Sequence, residues 1–347
     1  MFRSSNSISL DEQGRLTVPS RYREQLINDQ HQPVMHDEVL DSLNLQADGI
    51  YVDATFGRGG HTKSILAHLN NSGTILVIDK DPQAIAAAKQ LQQQDARIKI
   101  FAGSYAKLGD YCKRENLVGK INGILLDLGV SSPQLDVAER GFSFTHDGPL
   151  DMRMDPDTGI SAAQWLNSAS QDEIEYVLKT YGEEKFAWRI AREICACRLQ
   201  QEITTTKMLA DLIKQCYPIQ RRERRKKHTA SQAMKHPATQ SFQAIRIYIN
   251  DELADLQALL AESIPLLAMY GRLVIISFHS LEDRIVKQFI NYEAKGDQLP
   301  SDFPIRHNEL HPRLGKIGKR QRPSLAEVEA NKRARSAILR VAEKIEA

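Results

Sequence analysis

The feature that most constrains this chain is a strand–turn–helix–strand pattern between Ile50 and Asp79. The apolar segment Ile50-Tyr51-Val52-Asp53 ends on an acid, and a glycine-rich turn, Gly57-Arg58-Gly59-Gly60-His61, follows it. A second apolar segment, Thr74–Ile78, ends on Asp79. This pattern predicts a βαβ unit. Because glycines permit positive φ and the helix start presents free N–H groups, the turn indicates a ligand-binding loop.

The acid that ends the second strand indicates a nucleoside ligand. Asp79 stands about 20 residues after the turn, where a carboxylate can accept both hydroxyls of an adenosine ribose. A dinucleotide site needs a third glycine in the G-x-G-x-x-G spacing, which Gly57–Thr62 lacks. Asp53 would repel a pyrophosphate but attract the ammonium or sulfonium of a methionine-derived cofactor. We therefore expect an S-adenosylmethionine pocket; a glycine turn in a βαβ core without a ligand is the alternative.

Length and composition exclude several classes of protein. The chain has 347 residues, 41% hydrophobic and 26% charged, which predicts a globular protein long enough for two domains. The formal net charge is +2, so a nucleic-acid signal has to be local. Without a run of 18 apolar residues or a signal peptide, we expect a soluble cytoplasmic protein that does not bind membranes. The four cysteines lack the spacing of a zinc set, so we predict reduced thiols and no metal.

The first 30 residues differ in character from the rest of the chain. Phe2–Glu24 resembles the start of the MraZ family of DNA-binding regulators, and the resemblance ends near Gln30. The turn Asp11-Glu12-Gln13-Gly14 lies between two short alternating runs, which predicts a hairpin. Two strands bury too little apolar surface to be stable alone. We predict that residues 1–30 are an MraZ-like N-terminal fragment, while a non-catalytic nucleic-acid regulator is the function class that this segment suggests.

After residue 30 the chain alternates strand and helix patterns. Between about 138 and 233 the patterns are helical only, and strand patterns return after that. Further strands are predicted at 98–102, 123–128, 271–277 and 336–342. Their nearly continuous apolar runs are typical of parallel strands covered on both faces, so we predict an α/β, doubly wound sheet with the ligand at the strands' carboxyl ends. Helical spacing predicts helices at 162–167, 172–181, 184–200 and 207–216, and one more at 242–260. The predicted domains are 31–137, an all-helical insertion at 138–233, and 234–347.

Five longer motifs resemble the RsmH (MraW) family. They are Asp127–Asp136, Gly141–Phe144, Gly148–Asp155, Lys235–Thr239 and Ser277–Arg284. That family uses S-adenosylmethionine to methylate the exocyclic N4 of a cytidine in 16S ribosomal RNA. The resemblance implies a Rossmann-like class I methyltransferase sheet with an inserted helical domain. It implies 16S ribosomal RNA or the small ribosomal subunit as the partner, and it leaves open whether the protein forms a homodimer.

The resemblance also implies which residues bind the cofactor. These are Gly59, Gly60 and His61 in the loop, Asp79 at the ribose, Tyr105 near the adenine, and Asp127 and Gln134 beside the reacting end. Tyr105 stands where phenylalanine is common, and a rim aromatic without a ligand is its alternative. His36 stands where an apolar residue is more usual, which puts the packing of the first helix in question.

Methyl transfer from a sulfonium is an in-line displacement that needs the nucleophile about 3 to 3.5 Å from the methyl carbon. Acceptors that hold the N–H groups of an exocyclic amine would direct its lone pair at the methyl group. Ser131 and Ser132 are the candidate catalytic residues, and hydroxyls that only stabilise the turn are the alternative. Methylation of carbon 5 requires a cysteine near this turn, and no cysteine is close to it in sequence.

Two further features leave alternatives open. Residues 221–228 contain six basic residues in eight, which indicates an edge that contacts RNA phosphates or a solvated face. His279 follows the predicted strand 271–277. It is expected either to contact a phosphate or base, or to make a structural bond to the neighbouring turn.

Overall fold

The computed structural model describes residues 33–218, 236–296 and 310–345, together with 9–10 and 16–17. The predicted N-terminal hairpin is confirmed: β1 (Ser9–Leu10) pairs antiparallel with β2 (Leu16–Thr17). The rest of residues 1–30 and the basic run 221–228 lie outside the described residues. The MraZ resemblance and the RNA role of the basic run therefore stay predictions.

Seven strands form one sheet in the described parts of the chain. They are β3 (Ile50–Asp53), β4 (Thr74–Asp79), β5 (Ile98–Ala102), β6 (Ile121–Asp127), β7 (Leu267–Ser277), β8 (Leu314–Lys316) and β9 (Ile338–Lys344). Their order is β5-β4-β3-β6-β7-β9-β8. The first five are parallel, while β9 runs antiparallel between β7 and β8. The predicted α/β sheet is confirmed, although β8 was not predicted.

Both faces of the sheet are covered, as its apolar strands predict. In β4, Ile75 and Val77 pack into one hydrophobic core, whereas Leu76 and Ile78 pack into another on the opposite face. Helices on the first face are α1 (His36–Leu43), α2 (Gly60–His68) and α3 (Pro82–Gln94); those on the second are α4 (Leu108–Arg114), α11 (Glu252–Leu266) and α12 (Ser280–Glu293). This covering on two faces is the doubly wound arrangement.

A third hydrophobic core belongs to the helices that follow the sheet's first half. These are α6 (Ala162–Ser168), α7 (Gln171–Gly182), α8 (Ala187–Arg198) and α9 (Thr206–Cys216). The four predicted helices are confirmed, with ends shifted by up to three residues. The Thr205 side chain accepts a hydrogen bond from Met208 N and caps α9. Phe242 and Ile245 of α10 (Thr239–Ile249) also belong to this core, beyond the predicted boundary at 233. The domain boundaries stay predictions.

The prediction of one helix over 242–260 is wrong. α10 ends at Ile249, and α11 begins at Glu252 after Asp251, whose φ of 52° is left-handed. A left-handed residue cannot continue a right-handed helix. The Asn250 side chain donates to Met152 O and accepts from Met154 N, both at 2.7 Å, and so fixes the break. Among the described helices, none combines the length and apolar character that crossing a membrane requires.

Candidate active site

A cavity of about 1080 Å³ opens where four parallel strands end. It is lined by Thr55 after β3, Asp79 at the end of β4, Asp127 at the end of β6 and Phe278 after β7. In an open α/β sheet the carboxyl ends of parallel strands form the ligand-binding edge. The cavity therefore lies where the sequence predicts the site.

The glycine turn shapes the floor of this cavity. Gly57 has a φ of 55° and Gly59 a φ of 74°. A Cβ on Gly59 would lie 2.6 Å from Cζ of Phe56, so this position requires glycine for both its conformation and its space. Gly60, the first residue of α2, lines the cavity, whereas Gly59 is not among the described lining residues. Gly59 thus supports the turn, and its predicted contact with a cofactor stays a prediction.

Asp79 lines the cavity, and each of its carboxylate oxygens already accepts one hydrogen bond. Oδ2 accepts from Gly57 N and Oδ1 from Asp81 N, each at 2.8 Å. A carboxylate oxygen has two lone pairs, so each can accept one more donor. Burial raises the pKa of Asp79 to about 6, partly offset by these two backbone hydrogen bonds. This geometry suits a pair of ribose hydroxyls.

His61 and Asp127 face each other across the cavity floor. His61 Nε2 lies 3.7 Å from Asp127 Oδ2. Neither ring nitrogen of His61 nor Oδ1 of Asp127 has a hydrogen-bond partner among the described residues, although all three atoms are buried. A buried polar atom without a partner costs about 1 to 3 kcal/mol. Three such atoms at one cavity fit the polar methionine end of S-adenosylmethionine.

Asp53 does not take the place that the sequence argument gave it. It is 1% exposed, accepts from Thr62 Oγ1 at 2.6 Å and from Thr55 N at 3.2 Å, and is not among the described residues that line the cavity. Burial raises its pKa, and the Thr62 hydrogen bond partly offsets this. Asp53 therefore fixes the loop and the start of α2, and of Asp53 and Asp127 only Asp127 is among the described residues that line the cavity.

Gln134 joins the serine turn to the turn after β4. Its Oε1 accepts from Ser131 N and its Nε2 donates to Asp81 Oδ2, both at 2.9 Å. Arg140 Nη1 donates to the same Asp81 oxygen at 2.7 Å. Sequence reasoning missed Asp81 and Arg140. A second acid two residues after Asp79 was a signal for Asp81, but Arg140 lies too far along the chain for any local pattern to reveal the pairing. The predicted cofactor contact of Gln134 stays a prediction.

Ser131, Ser132 and Tyr105 also line the cavity. Ser131 is the N-cap of α5 (Ser132–Asp136), which gives it a structural role in the turn. Burial raises the pKa of Tyr105 well above its usual value, with Glu252 and Asp255 adding to the effect. The structure thus brings the two serines and the aromatic ring to one cavity, while their catalytic and cofactor roles stay predictions.

A buried charge network supports the far edge of the cavity. Glu252, His279 and Glu282 place possible ligand atoms within 4.8 Å of one another. Both oxygens of Glu252, however, accept from Arg246, at 2.7 and 2.8 Å. Glu282 Oε2 accepts from the backbone N–H groups of Phe278 and His279, at 2.8 and 3.2 Å. These hydrogen bonds make the three residues part of an ion-pair network that anchors the starts of α11 and α12.

His36 also lies at the cavity. Its Nε2 lies 2.7 Å from Ser64 Oγ, and its Nδ1 lies 2.7 Å from Asp37 Oδ1. The polar residue at the start of α1 is therefore accommodated by hydrogen bonds rather than by apolar packing.

Comparison with known proteins identifies the family of this chain. Residues 28–345 match the model of the MraW methylase family. A putative rRNA methylase from Clostridium thermocellum is 10% identical, with a TM-score of 0.39 over 90% of this chain and 93% of that chain. An rRNA methylase from Streptococcus thermophilus is 13% identical, with a TM-score of 0.35 over 90% and 94%.

A putative methyltransferase from Streptococcus mutans, in complex with SAH, is 13% identical, with a TM-score of 0.37 over 89% and 97%. With TM-scores below 0.5, these three likenesses support no conclusion about this chain. The family match, by contrast, spans nearly the whole chain and includes every cavity residue named above. The chain belongs to the MraW methylase family and is an S-adenosylmethionine-dependent RNA methyltransferase.

Proposed function

We propose that this protein transfers the methyl group of S-adenosylmethionine to the exocyclic N4 of a cytidine in 16S ribosomal RNA. The observation that carries the proposal is the turn after β6, where Ser131 and Ser132, the candidate acceptors for the amine, line the cavity. Acceptors are what an exocyclic amine needs, since its two N–H groups must be held. The motif resemblance supplies the target base and the RNA.

The size of the cavity supports a two-substrate site. Its volume of about 1080 Å³ lies just above the range of roughly 300 to 1,000 Å³ that is typical of small-molecule pockets. A base inside a duplex or stack has to be extruded before an enzyme can reach its ring substituents. The cavity therefore has room for a cofactor and one extruded base.

We assign the parts of the cofactor to residues on different strands and helices. Asp79 accepts the ribose hydroxyls, Tyr105 covers the adenine, and His61 with Asp127 holds the methionine end. The cofactor supplies an electrophilic methyl group on a sulfonium. Transfer of that methyl group would leave the cofactor as a neutral thioether, and N4 would lose one proton to an acceptor or to water. The residues bind, orient and desolvate the two reactants.

The positions of the cysteines argue against methylation of cytosine at carbon 5. That reaction needs a thiolate at the base. None of the four cysteines lines the cavity, and burial raises the pKa of Cys112 to about 11, which suppresses its thiolate. The cavity therefore offers no cysteine nucleophile for methylation at carbon 5.

Nucleoside analysis of 16S ribosomal RNA tests the proposal. RNA from a strain that lacks the gene should lose one N4-methylated cytidine, the wild-type gene should restore it, and a gene encoding Asp79→Ala should restore much less. Purified enzyme should also transfer a labelled methyl group to RNA or small subunits from the deletion strain. Loss of 5-methylcytidine instead, or an unchanged nucleoside profile, would contradict the proposal.

A further inference from the structure

An ion pair bridges the mouth of the cavity between distant parts of the chain. Arg333 Nη2 donates to Asp136 Oδ1. Asp136 is the last residue of α5, the short helix that begins after Ser131, and Arg333 lies in the 3-10 helix Lys332–Ser336. Both residues line the cavity, and their side chains are 58% and 40% exposed. Solvent therefore reaches both partners.

The backbone that carries Arg333 is held firmly. Glu327 Oε1, in α13 (Leu325–Ala330), accepts from Met35 N at 2.7 Å. Asn331 Oδ1 accepts from Arg333 N at 3.0 Å, and Ala334 and Ala337 are buried. The guanidinium thus projects from a fixed segment, and only its side chain needs to move to change partner.

The chemistry of the mouth fits a phosphate. When a base enters the cavity, the phosphates of its nucleotide stay outside at the mouth. A guanidinium presents a planar fork that matches a phosphate in bidentate fashion. An exposed ion pair such as Arg333 with Asp136 is worth only about 0 to 1 kcal/mol, so a phosphate can displace the carboxylate at little cost.

We propose that Arg333 binds a phosphate of the target nucleotide and that Asp136 holds the guanidinium in place in the enzyme without RNA. This inference rests on the proposed function, because it needs an RNA base in this cavity. The competing role is a structural tether, in which the ion pair only fixes α5 and the serine turn. The two roles predict opposite results for Asp136.

The test compares three variants in methylation of RNA or small subunits from the deletion strain. Arg333→Gln should raise KM for RNA about tenfold or more, with kcat at saturating RNA and the Kd for S-adenosylmethionine within about twofold. Its salt slope for RNA binding should fall by about 0.7 to 0.9, the value of one lost phosphate contact. Asp136→Asn should lower KM, because it frees the guanidinium. Arg335→Gln is the matched control: Arg335 is an exposed arginine of the same 3-10 helix that is not among the described lining residues, and its KM should change by less than about twofold.

A structural tether gives a different pattern. Arg333→Gln and Asp136→Asn would then both lower kcat, and the double variant would be no worse than either single variant. That pattern, or an unchanged KM in Arg333→Gln, would overturn the inference, as would equal effects of Arg333→Gln and Arg335→Gln. Failure of the proposed function is distinguishable, because the wild-type enzyme would then form no N4-methylcytidine in any of these assays.

Discussion

His61 Nε2 lies 3.7 Å from Asp127 Oδ2 at the floor of the cavity, and neither nitrogen of the imidazole is hydrogen-bonded to a described residue. The first residue belongs to the start of α2 and the second to the end of β6. The helix that follows β3 and the end of the neighbouring strand β6 thus hold an imidazole and a carboxylate at a separation that leaves polar atoms of both for a third group. The cofactor is the group that we expect there.

Asp127→Asn should weaken binding of S-adenosylmethionine about tenfold, because it removes a partly buried negative charge beside the sulfonium. S-adenosylhomocysteine has no sulfonium charge, so its affinity should fall less. Calorimetry with both ligands measures the difference. An equal loss for both would place Asp127 at the ammonium that they share, and thermal unfolding checks that the variant is folded.

Asp79→Ala should cost roughly 1.5 to 3 kcal/mol of charge-assisted hydrogen bonding to the ribose, or tenfold or more in affinity. The change also leaves Gly57 N and Asp81 N without their acceptor, so the loop itself is affected. Asp79→Asn, which keeps one acceptor oxygen, is the control for that effect. Unchanged affinity in the alanine variant would remove Asp79 from the cofactor site.

Cofactor binding should depend on pH through Asp79. Its pKa in the ligand-free protein is raised to about 6, and ribose hydroxyls that donate to it favour the ionised form. Affinity should therefore be greatest above pH 6 and fall by up to about tenfold per unit as the pH drops below 6. Titrations from pH 5 to 8 measure this, and Asp79→Asn should flatten the profile.

The stability of the ligand-free protein should change in the opposite direction. Because the folded-state pKa is raised, folding is favoured while Asp79 is protonated, and this contribution is lost as the pH rises from about 4 through about 6. The contribution amounts to about 3 kcal/mol at most. Denaturant unfolding of the wild type and of Asp79→Asn across this pH window measures the contribution. If the free energies of unfolding of the two proteins changed in parallel with pH, that result would contradict the raised pKa.

Ser131→Ala with Ser132→Ala should leave both substrates bound but slow single-turnover methylation about tenfold, if a hydroxyl positions the amine in the transition state. Ser131→Ala alone should also lower the free energy of unfolding by about 1 kcal/mol, because Ser131 is the N-cap of α5. The single variants therefore separate stability from turnover. Normal turnover in the double variant would leave both serines with a role in the turn alone.

Deletion of Met1–Asp29 should leave cofactor binding and methylation intact. Within the described residues, β1 and β2 pair only with each other and form a sheet that is separate from the seven-stranded sheet. Calorimetry and methyl transfer on the deletion variant measure the outcome. A large loss of activity would show that the hairpin supports the enzyme, and specific DNA binding that disappears with the deletion would favour a regulatory role.

The sequence predicted the sheet, the four helices α6 to α9 and a cavity at the carboxyl ends of the parallel strands, because each depends on local patterns. Continuous apolar runs mark β4 and β6, and helical spacing marks α6 to α9. Features that depend on contacts between distant residues could not be predicted from local sequence patterns. Asp53 ends its strand as expected, but the Thr62 hydroxyl, nine residues later, holds its carboxylate away from the cavity.

Dependence on contacts between distant residues also explains the other differences between the predictions and the structure. The break between α10 and α11 is fixed by Asn250 through the backbone of Met152 and Met154, and no glycine or proline between 242 and 260 marks it. Asp81 with Arg140 and Asp136 with Arg333 are pairs that only the fold brings together. Patterns of apolar residues predict which elements form, whereas the partners of individual charged groups depend on how the elements pack.

The position of β7 beside β6 has a consequence for synthesis on the ribosome. The two strands pair in parallel, although about 140 residues of chain separate them. At roughly 5 to 20 residues per second, the growing chain presents β6 with one open edge for on the order of 10 s. An open strand edge is a template for pairing with other chains. During that interval the helices of the third core emerge and can fold, so the nascent enzyme has to keep the edge of its cofactor site from aggregation before that site is complete.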